Sequence, residues 1–476
     1  MIARGVYGKI YPTIDSSIVK KLISKDQDDS LAQNFLREAS IYGLLKDSEY
    51  VPKIDKILIE TIDTDIEDET YEFIFMEKFD GHVDIYTKYS EEDIRNIIYS
   101  VMCALYDMHT LDISHRDVKP HNVLKRGDIV KLCDFGISRI CLDNGVTNIS
   151  DEVQTLWYRA PEVLLLKKSY NCKIDMWSVG VMIYELCNGQ HLMRSKNEED
   201  HINNIFSIFA VPSTTEWPEL PHEDLLKYSK IKRTDVVLNT TDADLVDLAG
   251  RLLVVNPKHR ASVFDVINHN YFKKSPKFVQ RERKCILKRY RDISLKFSAV
   301  GIGEHITFET RAKILTFYIN EIRRVNSDCT IIFHSIHLID KCISLYPKLD
   351  VSQYKLLCWV CYMLSTKIHC NRYVDVRTIT SRMMFAVTCN DVIEMEIFVV
   401  RLLNCDLFIP DENTFLKIMK NTLAIDSTRF AIILNRLLMS LISDPEYGKR
   451  DILTNVVDEL SKYYEGLSMK CLIDKI

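Results

Sequence analysis

The chain has 476 residues, 47% of them hydrophobic and 27% charged, with a formal net charge of −5 at pH 7. That length exceeds one ordinary core, so two or three domains are expected, and the composition excludes an intrinsically disordered chain. The small net charge offers no global attraction to nucleic acid or membrane. No apolar run approaches the roughly 18 residues of a spanning helix, and no leader pattern is present, so an intracellular setting, cytoplasm or nucleus, is expected.

The first eighty residues read as short strands around one helix. ARGVYGKIYP and SSIVKKLI alternate, LAQNFLREASIYGLLK has helical spacing, and DKILIETI and YEFIFMEKF alternate again. From about Glu91 to Phe272 the pattern is mostly helical, interrupted by the hairpin-like VLKRGDIVKLCD. Lys273 to Arg291 is dense in Lys and Arg and marks a boundary, as a solvated linker or helix face rather than a nucleic-acid arm. Past Phe308 only helical patterns remain, broken by polar stretches such as PKLD and PDEN. The 14 cysteines are scattered. The CxxC at Cys358 and Cys361 falls inside a helical pattern and has no second pair, so buried free thiols fit better than a zinc or redox site.

Two segments carry chemistry. SHRDVKPHNVL (Ser114 to Leu124) offers Asp117, Lys119 and Asn122 along one loop. A turn at Lys125 to Asp128 then returns a second strand that delivers Asp134 of CDFGISR beside that loop. One carboxylate is thereby available for a hydroxyl, and a carboxylate with an amide oxygen for Mg²⁺, which takes hard oxygen ligands and keeps others for phosphate and water. Phosphoryl transfer needs chiefly positioning and charge neutralisation, which this set supplies.

These residues resemble the catalytic and magnesium loops of the eukaryotic protein kinases. The resemblance implies an α+β, bilobal fold: a small β-rich lobe over about 1–78 and a large helical lobe over about 79–273. Asp117 would accept the proton of a substrate hydroxyl, Lys119 would neutralise the γ-phosphate of ATP, and Asn122 and Asp134 would hold Mg²⁺. The nucleotide would lie against Ala3, Gly5, Gly8, Ile10, Ile18, Lys20, Glu38 and Glu77. Here Ala3-Arg4-Gly5-Val6-Tyr7-Gly8 stands for GxGxxG with its first glycine missing, and Ile18 stands where relatives carry a small alanine. Lys20 and Lys21 point to opposite faces of a strand; Lys20 is expected to pair with Glu38, because relatives carry a second lysine after the catalytic one. Glu162 of WYRAPE would pair with Arg260. The position of Lys119 favours serine and threonine over tyrosine as acceptors in protein substrates.

QTLWYRAPEVLL and HINNIFSIFAVPSTTEWPEL resemble the cyclin-dependent kinase group, which is associated with the cell cycle. In that group Arg37, Arg116 and Arg139 would converge on a phosphorylated residue of the activation segment. Counting back from Thr155 places it at Ser150, with Asp151 and Glu152 as partial stand-ins. Tyr7 matches an inhibitory tyrosine of that group, or is an ordinary strand residue.

Residues 308–416 read as five amphipathic helices. HLIDKCIS, MLSTKI and EMEIFVVRLLNCDLFIPDENTFL resemble a cyclin box, with Lys367 and Glu396 at the family's kinase contact. Its substrate-docking patch is altered, keeping Arg311 with Thr310, Lys313 and Phe317 around it. The expected organisation is thus a kinase domain over 1–273, a basic linker over 274–307, a cyclin-like domain over 308–416, and a helical region over 417–476 resembling a short second repeat. The kinase would be activated by an intramolecular cyclin-like contact, with external regulators still open. The other readings are a kinase that takes a separate cyclin and uses the tail as a docking arm, and a catalytically silent scaffold.

Overall fold

Alternation in the first eighty residues becomes a five-stranded sheet. Its strands are β1 (Ala3–Arg4), β2 (Gly8–Pro12), β3 (Ile18–Ile23), β4 (Ile54–Ile62) and β5 (Glu69–Glu77), in the order β1-β2-β3-β5-β4. Between β3 and β4 runs helix α1 (Gln33–Leu44), whose residues Phe35 through Tyr42 are all buried. A helix buried at eight successive positions is enclosed on every side. The computed structural model describes residues 3–4, 8–23, 30–62, 69–141, 155–165, 170–220, 222–229, 231–232, 234–282, 286–295, 303–325, 328–370, 372–384, 386–423, 425–444, 447 and 450–464. It divides into two compact units: Met1–Leu44, Ile54–Met76 and Lys284–Ile476 form unit 1, and Leu45–Lys53 with Glu77–Arg283 form unit 2.

In unit 2, β6 (Gly81–His82) joins β8 (Val123–Arg126) and β9 (Ile129–Leu132) in a small sheet, and β7 (Ile113–Ser114) pairs with β10 (Arg139–Ile140). Arg126 pairs with Ile129, leaving a two-residue turn whose Gly127 adopts φ 55°, the left-handed geometry such a turn demands. Around these strands lie α2 (Glu91–His109), α3 (Pro161–Leu165), α4 (Lys173–Asn188), α5 (Glu198–Phe209), α6 (His222–Leu226), α7 (Ala243–Leu252), α8 (Val263–Val266) and α9 (Asn270–Lys273). Helix α4 is buried from Ile174 to Leu186 and forms the axis of a core with Trp177, Val181, Phe206 and Trp217. Gly180 lets α7 approach closely: a Cβ there would meet Leu253 Cγ at 2.7 Å.

The remaining helices belong to unit 1: α10 (Ile286–Ser294), α11 (Phe308–Val325), α12 (Cys329–Leu345), α13 (Val351–His369), α14 (Val376–Arg382), α15 (Cys389–Leu402), α16 (Glu412–Thr422), α17 (Ser427–Ser443) and α18 (Ile452–Ser461). The polar breaks end on N-caps. Asp350 accepts from Gln353 N and Asp411 from Thr414 N, each worth about 1 kcal/mol. The stretch expected to be a linker, 274–307, is not one throughout. Val279 N donates to Tyr99 Oη at 2.9 Å within unit 2, and α10 packs on the helices of unit 1 through fully buried Tyr290 and the Arg291–Asp451 ion pair at 2.8 Å. The segment's basic residues surround an apolar contact made by Tyr290, which is fully buried. Among the described residues no helix is long and apolar enough to cross a membrane.

Asp411 also carries a pH dependence. It is buried, its Oδ1 takes the Thr414 N–H at 2.7 Å, and burial pushes its carboxyl up to about 7 despite the opposing pull of that N–H. A carboxyl raised above its unfolded value of about 3.9 holds its proton in the fold and loses it in the unfolded chain. Its contribution to stability is therefore fully present below about pH 4 and is lost as pH rises toward 7. Asp411→Asn keeps an N-cap acceptor and removes the titration. Calorimetry should give a melting midpoint near wild type at about pH 4 and a higher one at about pH 8; coincident midpoints at both would contradict the assignment.

Candidate active site

In unit 2 the catalytic loop hangs on one buried carboxylate. Asp175, near the start of α4, accepts from His115 N and Arg116 N at 2.9 Å each, from Ser114 Oγ at 3.0 Å and from His109 Nε2 at 2.9 Å. Burial raises this carboxyl, but His109 and the loop donors outweigh it and hold it below the usual range. Arg116 takes φ 70° under this constraint. Asp175 opens DMWSVG, which in the sequence resembles the family's motif at the start of the large-lobe helix; its four-donor anchoring of the loop appears only in three dimensions.

Beyond the anchor, Asp117 faces Lys119 and Thr155. Lys119 Nζ donates to Asp117 Oδ2 and to Thr155 Oγ1, both at 2.7 Å, and Asp117 Oδ1 accepts from Thr155 N at 3.1 Å and Oγ1 at 3.0 Å. Asn122 turns its amide nitrogen onto Asp117 O and Oδ2 at 2.8 and 3.0 Å, which aims its amide oxygen the other way. Cys133 N donates to Asn122 O at 2.9 Å, tying the loop to the strand that leads into Asp134, whose φ is 71°. One amide oxygen and one carboxylate are a hard donor set of the kind Mg²⁺ uses when phosphates and water complete its shell. The residues fit that ion.

Glu162 and Arg260 form a buried fork, Nη1–Oε1 2.6 Å and Nη2–Oε2 2.8 Å. Both Arg116 and Arg139 stand beside Tyr170, whose phenol burial pushes up to about 12 against their pull. Arg116 is 1% exposed, its guanidinium lies 5.6 Å from the Tyr170 ring centroid, and its Nη1 donates to Ile137 O at 2.9 Å. Ser150, Gly5 and Tyr7, together with Asp151 and Glu152, lie outside the described residues. Glu77 takes Lys131 Nζ at 2.5 Å, Arg126 Nη2 at 3.4 Å and Lys53 N at 2.9 Å. Its carboxylate is thus engaged within unit 2.

In unit 1 the ion pair expected for Lys20 belongs to Lys21. Lys21 Nζ reaches both oxygens of Glu38 at 2.8 Å, whereas Lys20 Nζ lies over the Phe73 ring, 4.7 Å from its centroid. The register explains why. Ile10 pairs with Lys21, Gly8 with Ile23 and Pro12 with Val19, and partners directly opposite in a ladder share a face. Gly8, Ile10, Val19 and Lys21 therefore lie on one side, Ile18 and Lys20 on the other, so Val19 rather than Ile18 accompanies the paired lysine. Ala3 pairs with Ile10 at the sheet edge.

The entry to α1 is held by the helices of unit 1. Lys367 Nζ donates to Glu396 Oε1 at 2.8 Å, Ser30 Oγ at 2.8 Å and Leu31 O at 2.7 Å, and Leu31 N donates to Glu396 Oε2 at 3.0 Å. Both charged side chains are 0% exposed. Arg37 Nε donates to Ile368 O at 3.4 Å and its Nη2 to Cys370 O, where Gln33 Nε2 also donates at 2.8 Å. Arg37 thus caps the C-terminal carbonyls of α13, a favourable place for a cation. Arg311 is no docking surface: it is 1% exposed and forks onto Asp340 at 2.8 and 2.5 Å. The CxxC thiols of Cys358 and Cys361 are buried and free, their pKa values raised by that burial.

This combination of a β-sheet lobe, an anchored HRD loop and an APE–arginine fork defines a protein kinase. The model of the protein kinase domain family matches residues 1–272, and the chain belongs to that family. It is similar to the cell division control protein 2 homolog 3 of Trypanosoma brucei brucei, 31% identical over 292 residues that cover 57% of this chain and 90% of that protein. It is also similar to the mitogen-activated protein kinase MKC1 of Candida albicans, 33% identical over 194 residues, 38% of each. The chain is a protein serine/threonine kinase of the type that includes these two groups, with ATP as its phosphoryl donor.

Proposed function

We propose that this kinase carries its own cyclin-like activator in the helices from Phe308 onward, and that Asp117, Lys119, Asn122 and Asp134 with the Lys21–Glu38 pair perform the transfer. The observation that carries the reading is the Lys367–Glu396 pair. Two charges fully removed from water are tolerated only when every remaining hydrogen-bonding valence is met. Here Ser30 and Leu31, directly before α1, meet them. Without that segment, two donors of Lys367 would lose the acceptors they have here. The helical surface is therefore built around this particular stretch, which leads into the helix bearing Glu38.

In the transfer, Asp117 orients the acceptor hydroxyl and takes its proton, while Lys119, fixed between Asp117 and Thr155, offers its charge to the phosphoryl group. Asn122 and Asp134 would hold Mg²⁺, which when bound would supply neutralisation of phosphate charge. Lys21, held by Glu38, grips the remaining phosphates. Covalent linkage replaces a bimolecular encounter with an effective activator concentration in roughly the millimolar range.

The test is phosphate transfer from labelled ATP to a Ser/Thr peptide library by the full chain purified alone. Transfer should proceed without a second protein, and added cyclins should raise it by less than about twofold. A strict requirement for added cyclin would favour the docking-arm reading. Binding of Mg·ATP without any transfer would favour the scaffold.

A further inference from the structure

Helix α1 starts without a cap of its own. Leu36 N donates to Ala32 O at 3.1 Å, so Ala32 holds the cap position, where Ser, Thr, Asp or Asn normally supplies a side-chain acceptor. The first turn contains no acidic residue, and the nearby hydroxyl of Ser30 already accepts from Lys367 at 2.8 Å. The amides at this end therefore need acceptors from elsewhere. Two carboxylates from distant parts of the chain provide them: Glu396 Oε2 takes Leu31 N at 3.0 Å, and Glu72 Oε1 takes Ala32 N at 2.8 Å.

Glu72 is out of character for its strand. In β5, Glu72, Ile74 and Met76 share one face and are buried, while Tyr71, Phe73 and Phe75 pack along the other. Glutamate is disfavoured inside a strand and costly on its buried face. A carboxylate persists there only where hydrogen bonds meet its oxygens. Ala32 N is such a donor, and the positive end of the α1 dipole adds to it. The helical region reaches the same spot. Ile59, directly opposite Glu72 in the β4–β5 ladder, accepts from Arg401 Nη2 of α15 at 2.5 Å, and Ser40 Oγ of α1 donates to Cys405 O at 3.3 Å.

We propose that Glu72 is a positioning residue for phosphate transfer: by holding Ala32 N from the sheet, it fixes where α1 begins and so where Glu38 meets Lys21. This rests on the role proposed above for the Lys21–Glu38 pair. Glu38 lies less than two turns into α1, so a shift of the first turn is passed on to it. The Glu396 contact alone leaves α1 free to pivot about one point. Glu72 adds a second point on β5, the neighbour of the strand that carries Lys21, and thereby sets the separation of Lys21 from Glu38.

The experiment is steady-state peptide phosphorylation by the full chain as wild type, Glu72→Leu, Glu72→Gln and Glu38→Gln. Glu72→Leu keeps the volume and removes the acceptor. Its melting midpoint should stay close to that of wild type, since relief of a buried charge offsets one unpaired N–H. Its kcat should nevertheless fall by about 10–100-fold and its KM for ATP rise by about fivefold, with KM for the peptide within about twofold of wild type. Glu72→Gln keeps an oxygen for Ala32 N and should stay within about threefold of wild type. In a Glu38→Gln background, Glu72→Leu should cost less than about twofold more, because the group it positions is gone. KM does not depend on the fraction folded, and Glu72→Ala repeats the test should Glu72→Leu not fold. Glu72→Leu at wild-type rate, Glu72→Gln no faster than Glu72→Leu, or an equal loss in both backgrounds overturns the proposal and leaves the Lys21–Glu38 reading intact. Wild-type rate in Glu38→Gln would remove that reading itself, and the positioning role with it.

Discussion

Lys21→Ala and Asp117→Ala should each lower phosphate transfer by about 10²–10⁴-fold, whereas Lys20→Ala should stay within about threefold of wild type. The contrast rests on parity. Lys21 shares the face of Ile10 and Gly8 and forks onto Glu38 at 2.8 Å to each oxygen. Lys20 stands on the opposite face, over Phe73 at 4.7 Å. Removing Lys21 also leaves Glu38, 1% exposed, as a buried carboxylate without its cation, so a loss of stability is expected beside the loss of rate. Single-turnover transfer on the three variants, with circular dichroism to confirm folding, is the measurement. A Lys20 variant as inactive as Lys21→Ala would mean that the two residues have been assigned to the wrong faces.

Glu396→Ala should destabilise unit 1 by about 3–5 kcal/mol, because it strands the Lys367 ammonium where no water reaches it. The double variant Lys367→Met with Glu396→Leu should recover much of that stability, since replacing a buried ion pair by apolar groups of similar size is often neutral. It should not recover activity. Ser30 and Leu31 would have lost the partners that fix the start of α1, and with them the placement of Glu38. Denaturant titration and peptide phosphorylation on the same samples separate the two effects. A double variant that is stable and fully active would remove the main support for an activating role of the helical region.

The sequence by itself determined the chemistry-bearing loop, because HRDxKPxN and DFG are local strings whose spacing along one hairpin already brings Asp117, Asn122 and Asp134 into a single stretch of unit 2. It also determined the five helices from Phe308 to Leu402, since a 3.6-residue apolar period and an Asp or Thr cap at each start are local signals. The tertiary structure alone decided which of two adjacent lysines meets Glu38, because strand parity is set by hydrogen bonds to β2, not by neighbours in the chain. It alone showed that Arg311 is buried on Asp340 and that Tyr290, set among basic residues, packs against Phe408 and Phe415. Likewise, nothing near Lys367 in the chain announces Ser30: the two are 337 residues apart. Desolvation is what makes that contact necessary, and desolvation is a property of the packed molecule, not of any segment read alone.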